Sequence, residues 1–258
     1  MSELLPEPPG TRALPRWAHP ELGWPISLAA GFLGTWIGLQ TQIPGMAALS
    51  ATLLFAPIHM LLVSRSRGAL ATLLGLGWAL GLIAAVVGTT LDGHLEDVMG
   101  ALPYADAFTR AELRIWVTGE GLPAGESRLG LFHSALALGL MVAASRFLAG
   151  IPALLAAALF LGMIAAGDAW LAQEAELRGQ ATMVAAVLGL GPHRILQIAG
   201  FLFVWAALAE PTPVWPLHYL EEGRRRRLIG GCAAILVGLG VQALFHGVWI
   251  RTIRDWLN

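Results

Sequence analysis

Ionisable side chains set in apolar surroundings are the residues of this 258-residue chain with a reason to do chemistry. At the centre of the hydrocarbon a charged side chain costs roughly 2.5–3.5 kcal/mol or more unless it is paired, faces a cavity or binds something. They are few: His59, His133, Asp168, His193, Arg194 and His246 lie within or at the margins of long apolar runs. Neutral imidazole ligates heme iron or a transition metal, and a carboxylate on its other ring nitrogen fixes the tautomer. His133, Asp168 and His246 fall toward one side of their runs and could gather in a folded bundle, whereas His59 falls toward the other. A second constellation surrounds Gly191-Pro192, which interrupts Ala181 to Ala209 and is followed directly by His193 and Arg194. Proline removes a helical hydrogen bond, and a broken helix can offer backbone groups and a counter-charge to an anionic substrate, as in transporters. Each feature has a plainer alternative: a histidine hydrogen-bonded to a neighbouring helix, and an arginine snorkelling from a loop. Asp92-Gly93-His94-Leu95-Glu96-Asp97 concentrates donor atoms but lacks calcium-loop spacing. It reads as a solvated, helix-capping turn, and no metal site is assigned.

The elements that must position these groups are membrane helices. Hydrophobic residues make up 56% of the chain and charged ones 13%, so the apolar surplus needs a non-aqueous home. The runs reach the roughly 20 residues that a bilayer crossing takes. The expected fold is all-α, a polytopic transmembrane helical bundle of about seven spans, or six depending on how Ala181 to Ala209 divides. Residues 1–24 form a proline-rich tail with Trp17 and Trp24 at the interface, and residues 25–258 a single transmembrane domain. Spans are expected at about Pro25 to Gln42, Met46 to Val63, Ala69 to Thr90, Leu129 to Ser145, Ile151 to Leu171, the second part of Ala181 to Ala209, and Leu228 to Ile250. An acidic extramembrane segment, 91–128, follows the third. Glycines at Gly34, Gly38, Gly231, Gly238 and Gly240 suit close helix packing.

Charge placement sets the orientation. Arg12, Arg16, Arg65, Arg67, Arg146 and Arg224 to Arg227 fall on one side if the N-terminus is cytoplasmic, which predicts N-in, C-out in a bacterial inner membrane. The formal net charge of -1 leaves no basic face for nucleic acid. All basic residues are arginines, which excludes a Schiff-base lysine, and the single Cys232 excludes an intrachain disulfide. The partners this predicts are the lipid bilayer, a small substrate, and a homo-oligomer or a larger membrane complex in which the chain could be a non-catalytic subunit.

One stretch carries a resemblance. His133-Ser134-Ala135-Leu136-Ala137-Leu138-Gly139-Leu140-Met141-Val142, Asp168-Ala169-Trp170 and the run Gly162 to Ala172 resemble the core of styrene oxide isomerase and hydroxylaminobenzene mutases, small membrane proteins that rearrange aromatic substrates. The resemblance, over residues 131–172, implies heme b held by His133, with Asp168 as a polar catalytic partner and a small hydrophobic substrate. His246 is the second candidate for cofactor binding. The ferric iron would polarise an epoxide oxygen as a Lewis acid. Leu138 stands where the isomerase carries a substrate-binding asparagine, and no tyrosine follows Asp168 at the family's position. The competing expectation is a transporter or permease with its substrate site at His193 and Arg194 beside Pro192.

Overall fold

The computed structural model describes residues 15–65, 67–102, 150–210 and 221–257, and these are helical with no strand among them. After a short 3-10 turn at Arg16–Ala18 come α1 (Pro20–Gln40), α2 (Met46–Ser64), α3 (Gly68–Leu91) and the short α4 (Leu95–Ala101). Then follow α5 (Ile151–Leu177), α6 (Thr182–Ala209) and α7 (Glu222–Leu257). Five described helices, α1, α2, α3, α5 and the Glu222–Phe245 part of α7, are long and apolar enough to cross a membrane; His193–Ala209 of α6 is a shorter apolar helix.

Local sequence explains the ends. Helix α1 begins at Pro20, earlier than the Pro25 expected, because proline at the first helical position forgoes an N–H that has no partner there anyway. The 1–24 tail is therefore helical at its end. Pro44-Gly45 turns the chain between α1 and α2, with Gly45 at φ 84. The charged C-terminal stretch after Ile250 continues α7 to Leu257.

Helices α1, α2 and α3 form a compact trio. A Cβ on Gly31 would lie 2.0 Å from the Trp78 carbonyl oxygen, and one on Gly81 would lie 2.0 Å from that of Leu28. The backbones of α1 and α3 touch at this crossing because neither glycine has a side chain. Gly34 and Gly38 admit α2 in the same way, at Ala51 and Ala47. The Ser50 hydroxyl adds an interhelical hydrogen bond to the Gly34 carbonyl, 2.7 Å, and the Trp78 indole N–H donates to the Ala51 carbonyl, 3.0 Å. Helix α5 packs on α2 and α3, α6 on α3 and α5, and α7 mainly on α6. At the α6–α7 crossing Gly200 and Gly231 each face the other's carbonyl. Gly238 approaches the His193 carbonyl, whereas a Cβ on Gly240 would meet none of the described residues within 4 Å.

Outward faces are apolar. Ile37 and Leu33 on α1, Leu53 on α2, and Leu236 and Leu244 on α7 are exposed. Such a surface is untenable in water and suits lipid. A multi-pass membrane protein presents long apolar helices of this kind.

The bundle also separates charge. Contacts of Gly23 with Leu74 and Gly31 with Trp78 make α1 and α3 parallel. Gly68 meets Glu210 and Arg227, and Gly150 meets Trp205 and Ala209. Arg65, Arg67 and Arg224 to Arg227 thus share one end of the bundle with the start of α5. Asp92, Glu96, Asp97, Glu174 and Glu176 belong to the helix ends at the other.

Candidate functional site

The break expected at Gly191-Pro192 is present. Gly191 has φ 53 and ψ 143, a conformation open in practice to glycine, so α6 is two helical pieces joined by a kink. Pro192 brings no N–H, and the carbonyl one turn earlier loses its helical donor. The His193 ring folds back over the kink: a Cβ on Gly191 would lie 2.8 Å from its Cε1 and 3.5 Å from the Trp249 indole nitrogen.

Across the kink, Arg194 meets Asp168. Arg194 Nη1 donates to Asp168 Oδ1 over 3.4 Å, and the two side chains are 9% and 4% exposed. An ion pair so buried costs several kcal/mol per ion in lost hydration, which Coulomb attraction and further hydrogen bonds must offset. It is therefore weak evidence for stability and better evidence for a role. One helical turn beyond Arg194, the Gln197 amide donates to the Gln242 side-chain oxygen of α7, 2.9 Å. Acid, base and amides from three helices thus converge on the kink.

The surroundings are apolar on both sides. Asp168 follows Ala165 and Ala166 of the main core and precedes Leu171, Ala172 and Ala175. The latter three form a second cluster with Ala185, Ile253 and Leu257, flanked by Trp249. Along α5 the carboxylate lies about 26 Å from Ile151, toward the acidic end.

The sequence candidates distribute unevenly. Asp168 and Arg194 are brought together, uniting a residue of the isomerase-like expectation with one of the transporter expectation, while the His193 ring lies over Gly191. His133 lies outside the described residues, as do the span at Leu129 to Ser145 and most of segment 91–128. His246 stands in α7 between Gln242 and Trp249, with its side chain outside the described set. The iron ligand implied by the resemblance is thus among the residues outside the described set. Among the described residues no group of three or more His, Cys, Asp or Glu side chains gathers as a metal would need. His59 lies in the core instead, in a stack running from Trp78 through Phe55 to Trp205, whose ring centroid is 4.3 Å from the imidazole. In the acidic turn, Asp97 bonds His94 Nδ1 at 3.1 Å and accepts from the Gln42 amide at 2.8 Å.

A second buried ionic group, unforeseen from sequence, closes the other end of α6. Arg224 Nε donates to the Ala207 carbonyl over 2.7 Å and Arg224 Nη2 to the Glu210 carbonyl over 3.3 Å, satisfying the last carbonyls of the helix. Arg227 Nη2 donates to Glu210 Oε1 over 2.7 Å. Burial pushes the Glu210 carboxyl above the usual carboxylate range, against the opposing pull of Arg227 and Arg224. Arg224 and Arg227, three apart, share a helix face that Arg225 and Arg226 do not.

No protein-family model, no curated protein and no solved structure matches this chain.

Proposed function

We propose that the chain is a membrane transporter whose substrate site is the kink of α6. The observation that carries this reading is the buried Asp168–Arg194 pair set against the Gly191 break. A discontinuous helix places unsatisfied backbone groups and a fixed cation where apolar packing would otherwise be continuous, an arrangement suited to a small polar or anionic cargo.

The same reading includes topology. Helix α4 lies at the acidic end of the bundle and α5 begins at the arginine-rich one, so one further crossing at Leu129 to Ser145 would give seven spans. The arginine-rich end is then cytoplasmic by the positive-inside rule, with the N-terminus in, the C-terminus out and a bacterial inner membrane as location.

Proteoliposomes test the transport reading. Substrate-dependent flux of small anions is expected with the wild type and is expected to vanish in Arg194→Ala. Full flux in that variant would remove the kink as the site.

A further inference from the structure

Resting on that transport reading, the geometry points to Asp168 as the proton-binding group of the site, taking up one proton for each small monoanion that Arg194 receives. The argument is one of charge. Arg194 stays protonated in any protein environment, so the guanidinium is a fixed positive charge. It is 8% exposed and faces the Asp168 carboxylate at 3.4 Å. While Asp168 is ionised, the pair is neutral and the carboxylate occupies the direction from which an anion would approach. When a proton adds to the Asp168 carboxylate, the buried site gains one positive charge. In surroundings as apolar as Ala165, Ala166, Leu171 and Ala172, an added charge is costly unless neutralised.

A monoanion beside Arg194 restores the balance. Proton and anion enter together, the net charge of the site is unchanged, and no electron transfer or covalent bond other than the O–H is involved. The Gly191 kink breaks the helical backbone three residues before Arg194, and the His193 ring that covers it would have to move aside to admit the anion. By linkage, a proton that favours the anion is itself favoured by the anion to the same extent.

The other titratable groups nearby belong to each packed element. On α6 His193 is buried next to Arg194, and on α7 His246 stands within the same stretch, with Arg251 further toward the helix end. The next acid along α5, Glu174, is engaged by Arg178 at 2.9 Å. Helix α3 contributes no ionisable residue, and His59 of α2 lies in the aromatic stack against Trp205. Asp168 is in direct contact with the guanidinium.

Binding to the full-length protein in detergent separates the outcomes, with formate, nitrate and benzenesulfonate as probes because each stays a monoanion from about pH 5 to pH 8. Wild-type affinity is expected to weaken about tenfold per pH unit as pH rises, because each anion bound takes up one proton. Asp168→Asn is expected to bind at every pH about as tightly as the wild type does at low pH. Lightly buffered wild-type protein is expected to draw one proton from solution per anion bound, read with a pH indicator, which needs no variant. Saturable binding without proton uptake, or an unchanged pH slope in Asp168→Asn, overturns the coupling while leaving the transport reading intact. Binding of none of the probes by the wild type overturns both.

Discussion

Cutting the Asp168–Arg194 pair from one side should destabilise the protein far more than replacing both partners. At 3.4 Å and an effective dielectric of about 20, the Coulomb attraction is ~5 kcal/mol. Truncating one partner forfeits that attraction and leaves the other charge buried, a loss usually of ~3–5 kcal/mol. A helical membrane protein keeps part of its burial in the unfolded reference state, so the low end, ~3 kcal/mol, is expected for Asp168→Ala and for Arg194→Ala. For a chain of this size that corresponds to a fall in Tm of roughly 6–12 °C. The double replacement Asp168→Leu with Arg194→Met removes both desolvation costs and should recover at least about half of the loss. Thermal unfolding in detergent, followed by tryptophan fluorescence, measures all four proteins. If the two single losses simply add in the double variant, the residues do not interact, and the site as described is wrong.

Other outcomes follow from the same geometry. Gly31→Ala drives a methyl group into the Trp78 carbonyl and should cost ~3 kcal/mol, whereas Gly88→Ala, with open space around it, should be neutral or stabilising by ~0.5–1 kcal/mol; the same unfolding assay compares them. Burial raises the Glu210 carboxyl, so its contribution to stability is complete below the ordinary carboxylate range and is lost as pH rises through the raised value. Glu210→Gln should therefore flatten the acid side of the Tm–pH profile. In a Cys232→Ser background, Glu222→Cys should react with an impermeant thiol reagent from the cytoplasmic side and Asp255→Cys from the opposite side; the reverse pattern refutes the orientation. Purified protein should show no Soret band, and a band with a positive hemochrome test would favour heme b and the isomerase-like reading over transport.

Much of the framework is legible in the amino-acid sequence. Gly-Pro in an apolar run marks a break in the helical ladder, and the kink lies there. Gly34, Gly38, Gly231 and Gly238 mark helix crossings because small residues have little else to do in lipid. The ion pair is not legible in that way. Asp168 and Arg194 belong to different helices, and apolar periodicity fixes neither the rotation of α5 nor that of α6, so sequence assigns them to rival chemistries. Arg224 is equally opaque: four consecutive arginines read as one solvated cluster, and only the register of α7 against the end of α6 decides which of them turns inward.

The place of α7 in the bundle bears on biogenesis. Among the described helices this one docks mainly on α6, through the Gly200–Gly231 backbone contact and through Arg224 and Arg227 on Glu210. A ribosome releases α6 before α7, so for the interval of its synthesis the nascent chain holds Glu210 without these two cations and Gly200 without its cover. Membrane quality control recognises such unsatisfied polar groups in half-made bundles. Docking of α7 covers both groups, so chains truncated before Glu222 should be short-lived in the cell.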